Sequence, residues 1–140
     1  MASPPAFLLA NMQGLVGASR NKSPFLSDLL QNSESLWCAV TETWLSAVIS
    51  DSELLVHLPG YTLLRCDRAG RQRGGVCLLL RDNLTGEVLD TFSNGVCELL
   101  MVRVHQLNTV VAVCYRPPDT TLREFEAALS RLDGTEIQAF

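Results

Sequence analysis

The nine residues Trp37 to Leu45, WCAVTETWL, join an apolar run to a single acid. Trp37, Cys38, Ala39 and Val40 carry no polar interruption, the mark of a buried strand. The run ends at Glu42, with Thr41 and Thr43 on either side. A buried strand that delivers one carboxylate at its tip suits a metal site. Carboxylate oxygens are ligands that Mg²⁺ prefers, and a rigid strand fixes them in space. Taken alone, the same Glu is also what a helix first turn or a solvated loop carries, because acids are mostly exposed.

The flanking residues place this strand in a larger unit. Phe7 to Ala10 is a brief apolar run after Pro4 and Pro5, and it reads as a first strand ending at Asn11. Ser23-Pro24 predicts a helix start, with Ser as the cap and Pro at the first position, where its missing N–H costs nothing. Phe25, Leu26, Leu29 and Leu30 follow at helical spacing. Strand, helix, strand is a βαβ pattern, whose strands run parallel and bring their carboxyl ends to one edge of the sheet. Asn11 and Glu42 therefore converge on the edge where ligand sites in such sheets gather. Asn11 is equally an ordinary turn residue.

Downstream, Asp51 to His57 reads as a short helix stopped by Pro59-Gly60. Tyr61 to Arg65 and Val76 to Leu80 read as a hairpin around a basic loop broken by Gly74-Gly75. Glu87 to Phe92, Val96 to Val104 and Thr109 to Tyr115 are three more strands, separated by the turn residues Ser93-Asn94-Gly95 and Gln106-Leu107-Asn108. Pro117 and Pro118 forbid further pairing. Asp119 or Thr120 is expected to cap a last helix with Leu122, Phe125, Ala128, Leu129 and Leu132 on its apolar face, ended by Gly134. Thr135 to Phe140 show no closing element.

The 140 residues make one domain the natural expectation, and 47% hydrophobic residues allow a packed core. The net charge of −4 is unevenly spread. Up to residue 64, Arg20 and Lys22 stand against five acids. Residues 65–81 then hold Arg65, Arg68, Arg71, Arg73 and Arg81 against Asp67 alone. Such a patch can contact phosphate in an acidic chain, or it can be a solvated loop. The five cysteines, Cys38, Cys66, Cys77, Cys97 and Cys114, include no CxxC pair and read as reduced, mostly buried thiols. The N-terminal MASPPAFLLANMQG lacks a basic segment, and no later run is long enough for a membrane span. The expectation is an intracellular protein, nuclear or cytoplasmic, with no membrane partner.

NMQGL at Asn11, Lys22 before the first helix, TETWL at 41–45, GYTLLRCDR at 60–68, GGVCLLLRDNL at 74–84 and CYRPP at 114–118 stand in a fixed order. Together they resemble the N-terminal half of the endonuclease/exonuclease/phosphatase superfamily. The branch most resembled is the apurinic-endonuclease-like domain of non-LTR (LINE-type) retrotransposons. The resemblance implies an α/β fold, here a partial four-layer α/β sandwich: a first mixed sheet with flanking helices, and a second half absent. It implies Mg²⁺-dependent cutting of phosphodiester bonds, with DNA as the partner. It makes Glu42 the metal ligand, Asn11 the polar residue beside the metal and Tyr115 the contact to the scissile phosphate. The loop carrying Arg65, Arg68, Arg71 and Arg73 falls where the family approaches DNA.

The resemblance also implies a downstream set: an Asp-x-Asn, a later Asp and a Ser-Asp-His. None of these occurs in the 140 residues, where Asp133 is followed by Gly134-Thr135. Hydrolysis at a lone Glu is expected to be slower by orders of magnitude. The chain is thus expected to be a truncated nuclease domain, residues 1–140, inactive as it stands. Without a second sheet, the inner face of the first is expected to lie uncovered and to invite self-association. A different class of function stays open at this point: a non-catalytic module binding nucleic acid or protein through the Arg65–Arg73 loop. A phosphoinositide or other phosphate-ester substrate is a third reading, which TETWL and CYRPP disfavour.

Overall fold

The computed structural model describes residues 7–16, 21–33, 35–68, 73–94, 97–117, 123, 126 and 137–139. Strand β1 (Phe7–Asn11) leads into helix α1 (Ser23–Ser33) and back into strand β2 (Trp37–Thr41). The two strands pair in parallel, Phe7 opposite Trp37 and Asn11 opposite Thr41. The βαβ unit expected from the sequence is present. Its helix starts differently: the Ser23 N–H donates to Asn21 Oδ1 at 2.9 Å, while the fully buried Ser23 hydroxyl has no partner. Asn21 does the capping because Ser23 is turned into the core.

Helix α2 (Asp51–Leu55) is closed by a capping box in which Ser50 accepts from the Glu53 amide and Glu53 faces the Ser50 amide. Strands β3 (Tyr61–Cys66) and β4 (Val76–Arg81) form the expected hairpin, and β4 pairs antiparallel with β2. The first sheet therefore runs β1-β2-β4-β3. Strands β5 (Gly86–Ser93), β6 (Glu98–Val104) and β7 (Thr109–Tyr115) form an antiparallel meander. A short strand, β8 (Ile137–Ala139), joins β7 in parallel. The sequence reading had no element there. Of the expected last helix, Arg123 and Glu126 are helical and the rest lies outside the described residues.

The architecture is a mixed α/β fold of two sheets and few helices, a partial α/β sandwich as expected. One finer expectation is corrected. The inner face of the first sheet is not left bare, because Trp37, Ala39, Leu78 and Leu80 pack against Leu100, Val102, Val111 and Val113 of β6 and β7. Strands β5 to β8 are themselves the second sheet, so the large apolar patch that would drive self-association is absent there. The cover stops short of β1, where Phe7 is 44% exposed and Leu9 57% exposed. Phe7 stacks on Trp37 with ring centroids 4.8 Å apart. On the opposite face of the first sheet, Leu26 and Leu30 of α1 and Leu54 of α2 pack with Cys38, Val40, Cys77 and Leu79. Period-two alternation along β2 and β4 feeds both cores, so both strands are buried through. No helix among the described residues is long and apolar enough to cross a membrane.

Candidate functional site

The carboxyl ends of β1 and β2 do not separate where the strands stop. Met12, Gly14 and Leu15 donate their amides to the carbonyls of Thr41, Glu42 and Thr43 at 3.1, 2.8 and 2.9 Å. From the other side, Thr43 and Trp44 donate to the carbonyls of Gly75 and Gly74 at 3.2 and 2.8 Å. The TETW segment is thus clamped between the end of β1 and the start of β4. Within it Glu42 has φ +53° and Trp44 φ +56°, left-handed values that non-glycine residues hold only where the surroundings impose them. Gly14, at φ +97°, lies against the Trp44 indole, and a Cβ there would sit 2.5 Å from the ring. The backbone twist turns Glu42 out of the strand alternation, leaving it half-buried at the rim.

Tyr115, the last residue of β7, reaches this rim from the second sheet. Its hydroxyl comes near enough to the Glu42 carboxylate to feel its charge. Its pKa is pushed up to about 12, chiefly by burial and further by the Glu42 carboxylate, with Arg68 opposing. Tyr115 is therefore a protonated donor at neutral pH. Asn11 is exposed and lines a cleft of about 340 Å³ together with Leu9, Thr41, Cys114, Tyr115 and Arg116. On its other side Asn11 borders a hollow with Met12, Lys22 and Phe25, where the Lys22 ammonium is anchored on the Met12 carbonyl at 2.5 Å. The structure thus brings Tyr115 to Glu42 and Asn11 to the cleft of Tyr115. No hydrogen bond joins Asn11 to Glu42 directly.

The arginines divide. Arg65 donates to Asp51 and Asp67 at 3.0 and 2.7 Å and to the carbonyls of Ile49 and Ser46 at 2.7 and 2.9 Å. Arg68 pairs with the fully buried Glu98 at 3.0 Å. Both guanidiniums are held by the chain's own acceptors. Arg73 is exposed, with its guanidinium 5.1 Å from the centroid of the Trp44 ring, inside cation–π range. Arg71 lies outside the described residues. Glu98 and the Gly74-Gly75 pair are parts of the site that the sequence reading missed. The double glycine signalled a break, but nothing in the sequence pointed to the acid 23 residues away that holds it.

All five cysteines are free. Burial raises the thiols of Cys38, Cys66, Cys77 and Cys114, to about 12 at Cys38 and about 11 at Cys114, so these four are inert packing groups at neutral pH. No group of three or more His, Cys, Asp or Glu side chains able to hold a metal occurs among the described residues. Mg²⁺ needs few protein ligands, because it keeps several waters and is held by one or two carboxylates plus substrate phosphate. One carboxylate and a nearby amide fit part of such a site.

Two mixed sheets packed face to face, with the candidate site at the rim they share, are a fold this chain has in common with solved nucleases and phosphatases. Among solved structures, it is similar to the endonuclease domain of TRAS1, a telomere-specific non-LTR retrotransposon. The TM-score is 0.64 at 13% identity, over 93% of this chain and 54% of that one. It is similar to the Bacteroides thetaiotaomicron mannosyl-6-phosphatase Bt3783, with TM-score 0.63 at 9% identity over 97% of this chain and 63% of that one. It is also similar to D. rerio TDP2 complexed with single-strand DNA product, with TM-score 0.58 at 14% identity over 94% of this chain and 56% of that one. The chain spans between 54% and 63% of the length of these structures. No family model matches the sequence, and no curated protein does.

Proposed function

We propose that this chain carries the Glu42 half of a Mg²⁺-dependent, phosphodiester-cleaving site of the retrotransposon-endonuclease kind, with DNA as the polymer it meets. The observation that carries the reading is the clamped TETW turn, which presents Glu42 beside Tyr115 from the opposite sheet and next to the Asn11 cleft. Glu42 and Asn11 would hold the cation, and the cation, when bound, would polarise a phosphoryl oxygen and steady the leaving oxygen. Tyr115, protonated, donates a hydrogen bond and is suited to a phosphate oxygen. Lys22, anchored at Met12, and Arg73, propped on Trp44, add positive charge near this rim.

The 140 residues contain no Asp-x-Asn and no Ser-Asp-His to activate water. As it stands the chain binds the cation weakly and does not turn over. Incubating purified residues 1–140 with supercoiled plasmid and Mg²⁺ tests this. The expected result is no nicking above background. Nicking that disappears in Glu42→Ala would overturn the inactivity and leave the site assignment standing. Nicking that persists in Glu42→Ala would overturn the site itself.

A second reading, nucleic-acid binding without catalysis, draws on one observation, the exposed Arg73 guanidinium over Trp44. It predicts salt-dependent DNA binding that survives Glu42→Ala and is lost with the arginines of the 65–73 loop.

A further inference from the structure

Glu98 is a fully buried carboxylate at the start of β6, on the sheet opposite Glu42. One of its oxygens accepts the Gly75 amide at 2.5 Å and the other accepts Arg68 Nε–H at 3.0 Å. Gly75 and Gly74, at φ +86° and +62°, turn their carbonyls onto the amides of Thr43 and Trp44, on the far side of Glu42 in the chain. The fit is tight: a Cβ on Gly75 would come within 2.5 Å of Thr43 Oγ1, and one on Gly74 would strike the Arg68 guanidinium. Glu98 also stands opposite Tyr115 in the β6–β7 register. The two groups that meet at the candidate site, Glu42 and Tyr115, are therefore tied to one buried acid, the first through two glycines and the second through strand pairing.

We propose that Glu98 is the positioning residue of the site, holding the Gly74-Gly75 turn so that Thr43 and Trp44 are fixed and Glu42 is kept in its left-handed conformation; this rests on the reading of Glu42 as the site's acid. A buried ion pair contributes little net stability, since desolvation offsets most of the attraction. What it supplies here is direction. The Glu98 oxygens point one at the turn and one at the arginine that lies over it.

The test is backbone NMR of the full chain with Glu98→Gln, which keeps the shape and one acceptor and removes the charge. The expected result is that resonances of residues 41–45, 74 and 75 broaden or split and the left-handed Cα shifts of Glu42 and Trp44 average towards extended values. Mn²⁺ affinity falls about 10- to 100-fold alongside. Resonances that superimpose on the wild type at those positions overturn the proposal, even when the melting temperature drops, because a merely structural role moves stability alone. Should Glu98→Gln not fold, Arg68→Gln, which removes the guanidinium that Glu98 holds, is read by the same resonances. A wild type that binds no Mn²⁺ counts against Glu42 as a metal ligand and leaves the backbone result to decide the role of Glu98.

Discussion

Gly14 shows how the site is tuned at the level of single residues. Its φ of +97° and the indole where a Cβ would go leave no room for a side chain. Gly14→Ala is expected to cost about 2–4 kcal/mol, from left-handed strain and displacement of Trp44, read as a lower urea midpoint with unchanged slope. The arginines give a second prediction. Arg65→Ala strips partners from two aspartates and two carbonyls, and is expected to cost about 2–3 kcal/mol. Arg73→Ala leaves stability within about 0.5 kcal/mol and reduces the salt-sensitive part of DNA binding. Equal stability losses in urea would show that the division is wrong. Tyr115 gives a third. Its folded-state pKa lies above the ordinary tyrosine value. Its contribution is therefore complete below the unfolded pKa of about 10 and is lost as pH rises from there towards about 12. Melting temperatures measured between these limits should fall less steeply in Tyr115→Phe. The sequence places Asn11 and Glu42 at strand tips, whereas Tyr115 enters as a site candidate only through the family resemblance. The partners of Arg65 and Arg68 were not readable. Asp51 and Glu98 lie 14 and 30 residues away, and only the fold brings them close.

The elements were legible where burial wrote a long enough pattern. WCAV and VCLLL are apolar through because both faces of their strands are covered, and both stand within a residue or two of where the sequence puts them. The parallel pairing of β1 with β2 followed from the helix between them. Two features did not follow. The start of α1 is capped by Asn21 rather than Ser23, since both types cap well and only packing decides which side chain turns inward. β8 is three residues, Ile137–Ala139, with no periodicity to read and a partner 27 residues earlier. The packing between sheets carries its own prediction. Leu100 is fully buried between them, and Leu100→Ala is expected to cost about 2–5 kcal/mol by transfer and cavity effects. A loss near zero in denaturant titration would mean the two sheets do not share a core.

At the scale of the molecule, the two sheets make one interface, and the candidate site sits where its rim is open. The strands after residue 85 carry no sheet assignment in the sequence, and the second sheet is expected to be absent, which is why the inner face of the first is expected to be bare. Strand periodicity gives the existence of strands and their buried sides, but it does not say which sheet they join. The structure assigns them to a second sheet, and the exposure that remains is confined to Phe7 and Leu9 along β1. That open edge borders the cleft containing Asn11 and Tyr115, so the site is walled on two sides by the strands of both sheets. The proposed function requires that a carboxylate delivered by the clamped turn hold a divalent cation. It is tested most directly by Mn²⁺ titration followed by electron paramagnetic resonance, on the wild-type chain and on Glu42→Ala. The expected result is weak, saturable binding to the wild type that falls at least about tenfold in Glu42→Ala with the fold intact. Binding that is equal in the two proteins, or absent from the wild type, would contradict it.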